Sequence, residues 1–136
     1  MQRKGTARWQ GTTQEGGGTL RDTPYSFKAR FGDAKGTNPE ELLAAAHAGC
    51  FTMAVSFTLN GAGFTATAIE TEAQLTMDPV DGKPTIKSIH LITRAQVPGI
   101  SAAQFAEIAS GAKVNCVVSR ALSPSITVTM DAVLAS

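Results

Sequence analysis

The chain has 136 residues, of which 43% are hydrophobic and 17% are charged. This composition is typical of a folded globular protein and argues against intrinsic disorder. The net charge is +1 and the chain has no basic cluster, so nucleic acid and anionic membrane surfaces are not expected as partners. A chain of this length usually forms one domain, and we predict a single domain over residues 1–136.

The start of the chain lacks the pattern of a secretory signal. Residues 1–8 are polar, and no apolar segment follows them, whereas a signal peptide needs an apolar central region. The most apolar stretch, residues 42–59, is interrupted by His47 and Thr52, and we interpret it as too polar to span a membrane. We therefore expect a cytoplasmic protein without membrane association.

The first third of the chain predicts three β-strands. Polar and apolar residues alternate over positions 6–11, and the glycine run at positions 16–18 predicts a turn before a second short strand. Alternation continues over positions 25–31, with Phe27 on one face and Lys28 and Arg30 on the other. This pattern predicts a third strand that ends near Arg30.

A strong helix signal begins at Asn38. Asn38 suits the N-cap, Pro39 suits the first helical position, and Glu40 and Glu41 lie where the helix dipole favours negative charge. The helix is predicted to run to about Leu59, before an Asn-Gly pair that stops it. Its apolar residues surround it on nearly every side, so it should be buried, and a second chain would cover the face that a small domain leaves open.

The second half of the chain predicts two strands, a helix and a last strand. The strands cover residues 64–77 and 85–97, and the helix runs from Ser101 to about Asn115, with residues 116–122 extending or restarting it. The last strand covers residues 125–134. The resulting order is βββ-α-ββ-α-β, which is an α+β fold.

Two cysteines are the main candidates for chemistry. Cys50 lies in the middle of the long helix beside Gly49, and Cys116 follows the second helix. Free cysteines are often simple core residues, but two thiols on different elements also suit a redox pair, in which the second traps an oxidised first. A permanent disulfide is not expected in a reducing compartment. Two cysteines and two histidines without ligand spacing predict no metal site.

Helix geometry limits which residues can share a site with Cys50. Glu40 lies ten residues earlier, about 15 Å away along the axis and about 80° around it, so the two cannot touch within one helix. If both belong to one site, a symmetric dimer would bring Glu40 of one chain to Cys50 of the other. His47 lies one turn before Cys50 and is a candidate base for a Cys-His nucleophile, although side chains on one helix align poorly for that role.

Three segments resemble the OsmC/Ohr family of thiol peroxidases. They are KGTNPEELLAAAHAGCF at positions 35–51, VPGI at 97–100 and NCVVSR at 115–120. The resemblance covers essentially the whole chain. The early Trp9 strand and the GTNPEEL run look closer to the OsmC branch than to the Ohr branch.

The resemblance implies roles for four site residues: Cys50, Cys116, Arg30 and Glu40. Cys50 would be the peroxidatic cysteine and Cys116 the resolving one. Arg30, rather than Lys28, would activate the thiolate, since a nearby cation raises the thiolate fraction of a cysteine. Glu40, rather than Glu41, would hold that arginine by a bidentate pair.

The resemblance also implies a reaction and an assembly. The protein would reduce organic hydroperoxides without metal, haem or flavin, and a dithiol, such as the dihydrolipoyl group of a lipoylated protein, would reduce the resulting disulfide. It would form an intertwined homodimer with shared sites, in which strand-rich sheets surround central helices. Phe51, Met53 and Phe57 are candidate lining residues for an apolar substrate.

Three other interpretations stay open at the level of sequence. A redox sensor or redox-regulated binding protein would use the same cysteines without turnover. A cysteine hydrolase would pair Cys50 with His47 and would not need Cys116. A structural dimer would keep both thiols inert.

Overall fold

The computed structural model describes residues 1–135, which divide into two compact units, Met1–Leu43 and the part of the chain from Ala44 onward. The strands are β1 (Ala7–Gln10), β2 (Gly17–Leu20), β3 (Thr23–Ser26), β4 (Ala68–Val80), β5 (Lys83–Gln96) and β6 (Thr127–Ala135). The helices are α1 (Phe27–Phe31), α2 (Pro39–Gly61), α3 (Ala102–Asn115) and α4 (Val117–Ala121). The predicted α+β class is confirmed. The short helix α1 is added to the predicted order, and α4 corresponds to the restart predicted over residues 116–122.

The first unit contains a three-stranded antiparallel sheet in the order β1-β2-β3. The glycine run was expected to form a turn, but β2 already begins at Gly17. A Cβ atom on Gly18 would lie 1.7 Å from the carbonyl oxygen of Arg8. Gly18 is therefore required by the close approach of β1 and β2, which explains why a strand tolerates glycine here.

The strand predicted over positions 25–31 is wrong from Phe27 onward. Phe27–Phe31 forms the helix α1, and the Ser26 hydroxyl caps it by accepting the N–H of Ala29 at 3.0 Å. The Phe27 and Phe31 rings pack with their centroids 4.8 Å apart. Positions 27 and 31 share a face in a strand and also in a helix, so alternation over a short segment does not decide between them, and the serine cap favours the helix.

The predicted start of α2 is confirmed. The Asn38 side-chain oxygen accepts the backbone N–H of Glu41 at 2.8 Å, which is the expected N-cap contact. One face of α2 is buried and consists of His47, Phe51, Val55 and Leu59. Within the single chain another face stays open, since Met53 is 75% exposed and Phe57 is 81% exposed.

The length and composition of α2 are also compatible with a membrane span. Its most apolar window has a mean hydropathy of 1.6, which is higher than its polar residues led us to expect. One such helix is weak evidence, because the core helix of a water-soluble protein passes the same test.

The second unit contains the sheet β4-β5-β6, in which β4 and β5 are antiparallel and β5 and β6 are parallel. Ile89, Leu91 and Ala95 alternate along β5 and are almost fully buried. They pack into one apolar core with the buried face of α2 and with Phe105 and Ala109 of α3. This core fixes α2 and α3 relative to the sheet and therefore fixes the groove described next.

Candidate active site

Cys50 and Cys116 line the same groove in the second unit. The groove has a volume of about 880 Å³ and is formed by α2, α3 and the start of α4. Cys50 is half-buried, Cys116 is buried, and both are free thiols. The structure therefore brings together two cysteines that lie 66 positions apart in the sequence.

Hydroxyl groups fix α2 to the sheet close to Cys50. The Thr52 hydroxyl donates to the Thr71 hydroxyl of β4 at 2.8 Å, and Thr71 contacts the Thr93 hydroxyl of β5 at 3.0 Å. Thr93 is completely buried and also donates to the carbonyl oxygen of Glu70 at 3.3 Å. Because buried hydroxyls are costly without partners, this network holds the cysteine-bearing turn of α2 in one position.

The groove is mostly apolar. Met53 and Phe57 of α2 line it opposite Ile108 of α3, as predicted, and their contact with a substrate stays a prediction. Phe51 was also expected in the lining, but it is completely buried in the core. Cys50 and Phe51 are adjacent and therefore about 100° apart around the helix, which directs them to different sides.

Among the described residues that line the groove, only Glu107 carries a charge. A carboxylate does not favour a thiolate nearby. The cation that the sequence interpretation requires is therefore not part of this groove's own lining.

Arg30 and Glu40 form an ion pair in the first unit. The Arg30 Nε donates to Glu40 Oε2 at 3.0 Å, and Arg30 Nη2 donates to Glu40 Oε1. This is the bidentate geometry in which arginine is most strongly oriented by a carboxylate. The Arg30 guanidinium also lies 5.0 Å from the centre of the Phe31 ring. Arg30 lies on helix α1 rather than on the predicted strand.

The two alternative residues have different partners. Lys28 Nζ donates to Glu15 Oε2 at 2.9 Å, and the Thr37 hydroxyl donates to Glu41 at 3.4 Å. Of the two cations and two acids that the sequence left as candidates, Arg30 and Glu40 are the ones that pair. Whether this pair acts on Cys50 stays a prediction.

A cavity of about 310 Å³ adjoins Arg30 in the first unit. Trp9, Tyr25 and Phe27 line it together with Arg30. The Trp9 and Tyr25 rings pack edge to face, with centroids 5.2 Å apart. Arg30 is therefore presented next to an aromatic surface rather than to open solvent alone.

His47 does not hydrogen-bond Cys50. It is completely buried, and its Nε2 lies 2.7 Å from the Ser119 hydroxyl of α4. Ser119 in turn accepts from the Cys116 thiol at 3.0 Å. The Cys50–His47 pair of a cysteine hydrolase therefore has no geometric support in the described part of the chain.

Burial lowers the pKa of His47 below its ordinary value, because desolvation disfavours the charged imidazole. The unfolded chain then binds a proton more readily than the folded one, so stability falls as the pH drops below about 6.5. We expect His47→Gln to remove this part of the pH dependence, which cannot exceed about 1.4 kcal/mol per pH unit. Denaturant unfolding at neutral and mildly acidic pH measures it.

The matched control for this prediction is His90→Gln. His90 lies on β5, and its ring nitrogens contact the Thr129 hydroxyl at 2.7 Å and the Asp131 carboxylate at 3.0 Å. The His47 contribution should persist in this variant. An unchanged pH slope in His47→Gln would contradict the assignment.

Within residues 1–135, no cluster of three or more histidine, cysteine or acidic side chains has the arrangement to hold a metal ion. Ser119, which contacts Cys116 of the groove, is the residue that sequence reasoning missed. Its position three residues after Cys116, at the start of a helix, is a capping pattern and is the signal that identifies it.

Comparisons with known proteins point to one family. A family model described as OsmC-like protein matches residues 32–131. Peroxiredoxin OsmC of Escherichia coli (strain K12) is 46% identical over 134 residues, covering 93% of this chain and 94% of that protein. This similarity supports the OsmC branch over the Ohr branch.

Two solved structures have the same fold. The OsmC like protein from Mycoplasma pneumoniae has a TM-score of 0.75 at 15% identity and covers 100% of both chains. The organic hydroperoxide resistance protein OhrB of Bacillus subtilis has a TM-score of 0.70 at 20% identity, covering 96% of this chain and 98% of that one. With the family model and the identity to the Escherichia coli protein, these likenesses lead to one conclusion: the chain belongs to the OsmC family.

Proposed function

We propose that this protein is a thiol-dependent peroxidase that reduces organic hydroperoxides to alcohols. The observation that carries the proposal is the apolar groove in which two free cysteines meet. The names of the similar proteins support it, since one is a peroxiredoxin and another is an organic hydroperoxide resistance protein.

The reaction divides into three balanced steps. The Cys50 thiolate attacks the terminal oxygen of the hydroperoxide, the O–O bond breaks, and the alkoxide takes a proton and leaves as an alcohol. Cys50 is then a sulfenic acid. Cys116 attacks its sulfur, which forms the disulfide and releases water. A dithiol reduces the disulfide by exchange, and both cysteines return to thiols.

Arg30 and Glu40 complete the site in this proposal. A permanent cation next to the Cys50 sulfur would favour the thiolate, and it would also stabilise negative charge on the departing oxygen. The bidentate pair with Glu40 orients the guanidinium before substrate arrives. Among the described residues that line the groove none supplies a cation, and we propose that Arg30 of a second chain supplies it.

We propose a homodimer, and the apolar faces of α2 support it. One face is buried in the core, while Met53 and Phe57 are largely exposed in the single chain. Gly49 lies on the same open side, and nothing in the described chain comes within 4 Å of a Cβ atom placed on it. A second copy of the chain that packs here would cover these apolar side chains and would find room at Gly49 for close helix contact.

We expect Met53→Asp to convert the dimer into monomers and to lower peroxidase activity by at least about tenfold, because a buried unpaired carboxylate is costly. Sedimentation or light scattering gives the molar mass. Thr85→Asp is the matched control, since Thr85 lies on β5 outside α2. A Met53→Asp variant that stays dimeric would contradict this placement of the interface.

We propose that the enzyme works in the cytoplasm with a dithiol as its reductant. The reductant is a dithiol, and a dihydrolipoyl group on a lipoylated protein has the required chemistry, since it closes into a stable cyclic disulfide after exchange. The two free cysteines suit the reducing cytoplasm. We also propose that residues 1–136 work as a single OsmC-like domain.

Peroxide consumption with dihydrolipoamide as reductant tests the proposed function. The protein should consume cumene hydroperoxide faster than hydrogen peroxide, because the aromatic group gains contact with the apolar groove while hydrogen peroxide does not. Absence of turnover with every dithiol tried would replace the peroxidase with a redox sensor. A preference for hydrogen peroxide would contradict the role of the groove in substrate selection.

A further inference from the structure

We propose that Ser119 and His47 form a proton relay that activates Cys116 for the resolving step. This inference rests on the proposed function and assigns a role to two residues that the peroxidase mechanism above does not use. Its basis is a continuous line of hydrogen bonds from the Cys116 sulfur to the His47 ring.

Two hydrogen bonds connect the Cys116 sulfur to the His47 ring through Ser119. The Cys116 thiol donates to the Ser119 hydroxyl oxygen at 3.0 Å. The Ser119 hydroxyl lies 2.7 Å from His47 Nε2, and in the proposed relay it donates to that nitrogen while its oxygen accepts from the thiol. The backbone N–H of Ser119 also donates to the Cys116 sulfur at 3.4 Å, so Ser119 contacts the sulfur through two groups.

The state of His47 suits a proton acceptor. Burial lowers its pKa, which keeps the imidazole neutral at physiological pH and leaves Nε2 able to accept. In the proposed relay the ring proton lies on Nδ1, a buried atom that has no hydrogen-bond partner within the described residues. Within the described residues, the His47 ring therefore makes its polar contact through Nε2, with the Ser119 hydroxyl.

Residues from two helices and from the junction before the second of them build this arrangement. His47 lies on α2, one turn before Cys50, while Cys116 lies at the junction of α3 and α4 and Ser119 lies on α4. His47 and Ser119 are 72 positions apart. A purely local capping contact would need Cys116 and Ser119 alone, whereas the addition of a buried histidine from α2 extends the contact into a path for a proton.

The resolving step then balances as follows. Cys116 attacks the sulfur of the Cys50 sulfenic acid, the S–S bond forms, and the S–O bond breaks. The thiol proton passes to the Ser119 oxygen as the serine proton passes to His47 Nε2. The hydroxide that leaves Cys50 is protonated to water by solvent. The imidazolium returns its proton to solvent through Ser119 and the groove, so that one thiol and one sulfenic acid give one disulfide and one water.

Burial shortens the lifetime of the His47 imidazolium. A desolvated cation without a partner is unfavourable, so His47 holds the proton only while the disulfide forms. The relay therefore supplies a base at the moment of attack and keeps Cys116 as a thiol at other times. A thiol is oxidised less readily than a thiolate. Peroxide therefore reacts with Cys50 rather than with Cys116.

A single-turnover experiment separates the two chemical steps. Reduced protein is mixed rapidly with one equivalent of cumene hydroperoxide in the absence of reductant, and the reaction is quenched at intervals. A dimedone adduct, counted by mass spectrometry, gives the Cys50 sulfenic acid, and the loss of two thiol protons in intact mass gives the disulfide. The rate of sulfenic acid formation serves as the internal reference in each variant.

We expect Ser119→Ala and His47→Gln to slow disulfide formation by about 100-fold, the low end of the usual contribution of a general base, with accumulation of the sulfenic acid. Ser119→Thr keeps a hydroxyl and should restore the rate to within about threefold. Ser110→Ala, an exposed serine of α3, is the matched control and should resemble the wild type.

Several outcomes would overturn the relay. Disulfide formation at the wild-type rate in Ser119→Ala would do so, and equal slowing of both steps would show a structural role instead. The glutamine in His47→Gln can still hydrogen-bond Ser119 but cannot take up a proton, so an unchanged rate there would remove the proton acceptor. A wild-type protein that forms no sulfenic acid would overturn the proposed function itself, which distinguishes that failure from failure of the relay alone.

Discussion

Replacing Cys50 with serine is expected to abolish peroxide consumption, with a loss of more than about a thousandfold. The hydroxyl of serine is not ionised at neutral pH and is a poor nucleophile without a base, and it cannot form a sulfenic acid. Cys50 is half-buried beside the core, and serine is nearly the same size, so the fold should be retained. The assay is the consumption of cumene hydroperoxide with dihydrolipoamide.

Cys116→Ser is the matched comparison, because it removes the other thiol of the same groove. This variant should consume about one equivalent of peroxide rapidly and then stall, since no second thiol is available to trap the sulfenic acid. The two serine variants should therefore differ in the first turnover. Normal turnover in Cys50→Ser would assign the chemistry to Cys116 and would contradict the proposed mechanism.

Local signals account for the parts of the fold that were predictable from sequence. The start of α2 depends on Asn38 and the residues directly after it. The start of α3 depends on Ser101, whose side chain accepts the Gln104 N–H and forms a complete capping box. Both signals lie within four residues, and no distant contact is needed to interpret them.

The parts that were not predictable depend on contacts between distant residues or on ambiguous spacing. The parallel pairing of β5 with β6 and the shared groove of the two cysteines result from packing of the whole second unit. Alternation over Phe27–Phe31 fits both a strand and a helix, so the position of Arg30 on α1 was missed. His47 was considered as a base for Cys50, but packing directs it to Ser119 instead.

The site itself was predicted in part. Family resemblance selected Arg30 and Glu40 over their neighbours, and the structure pairs these two residues within one chain. Sequence and structure agree on this pair and on the meeting of the cysteines. That the two pairs combine into one catalytic site stays a prediction, and so does the chain that supplies the arginine.

Mixed dimers are expected to settle which chain supplies Arg30. Arg30→Met removes the charge and should lower activity by about a hundredfold, as loss of a group that stabilises developing charge does. Cys50→Ser is expected to be inactive by itself. If Arg30 of one chain acts on Cys50 of the other, a dimer that contains one chain of each variant carries one site with both defects and one intact site.

The two variants are co-expressed in equal amounts, or are unfolded together and refolded. About half of the dimers are then mixed, and each mixed dimer has one intact site of two. The mixture should therefore recover about a quarter of the wild-type activity. The recovered activity comes from mixed dimers only if it requires that the two variants exchange chains. The control is to combine the two folded variants without exchange, which should leave activity at the level of the separate proteins.

Failure of the exchanged mixture to regain activity would place Arg30 in the same chain as the cysteine that it activates. In that case every mixed dimer has one site without the thiol and one without the cation, so no site is intact. Glu40 should follow Arg30 in either outcome, since the two side chains are paired within one chain. The combination of Glu40→Gln with Cys50→Ser should consequently give recovery whenever Arg30→Met does, and disagreement between the two mixtures would show that the ion pair does not act as a unit.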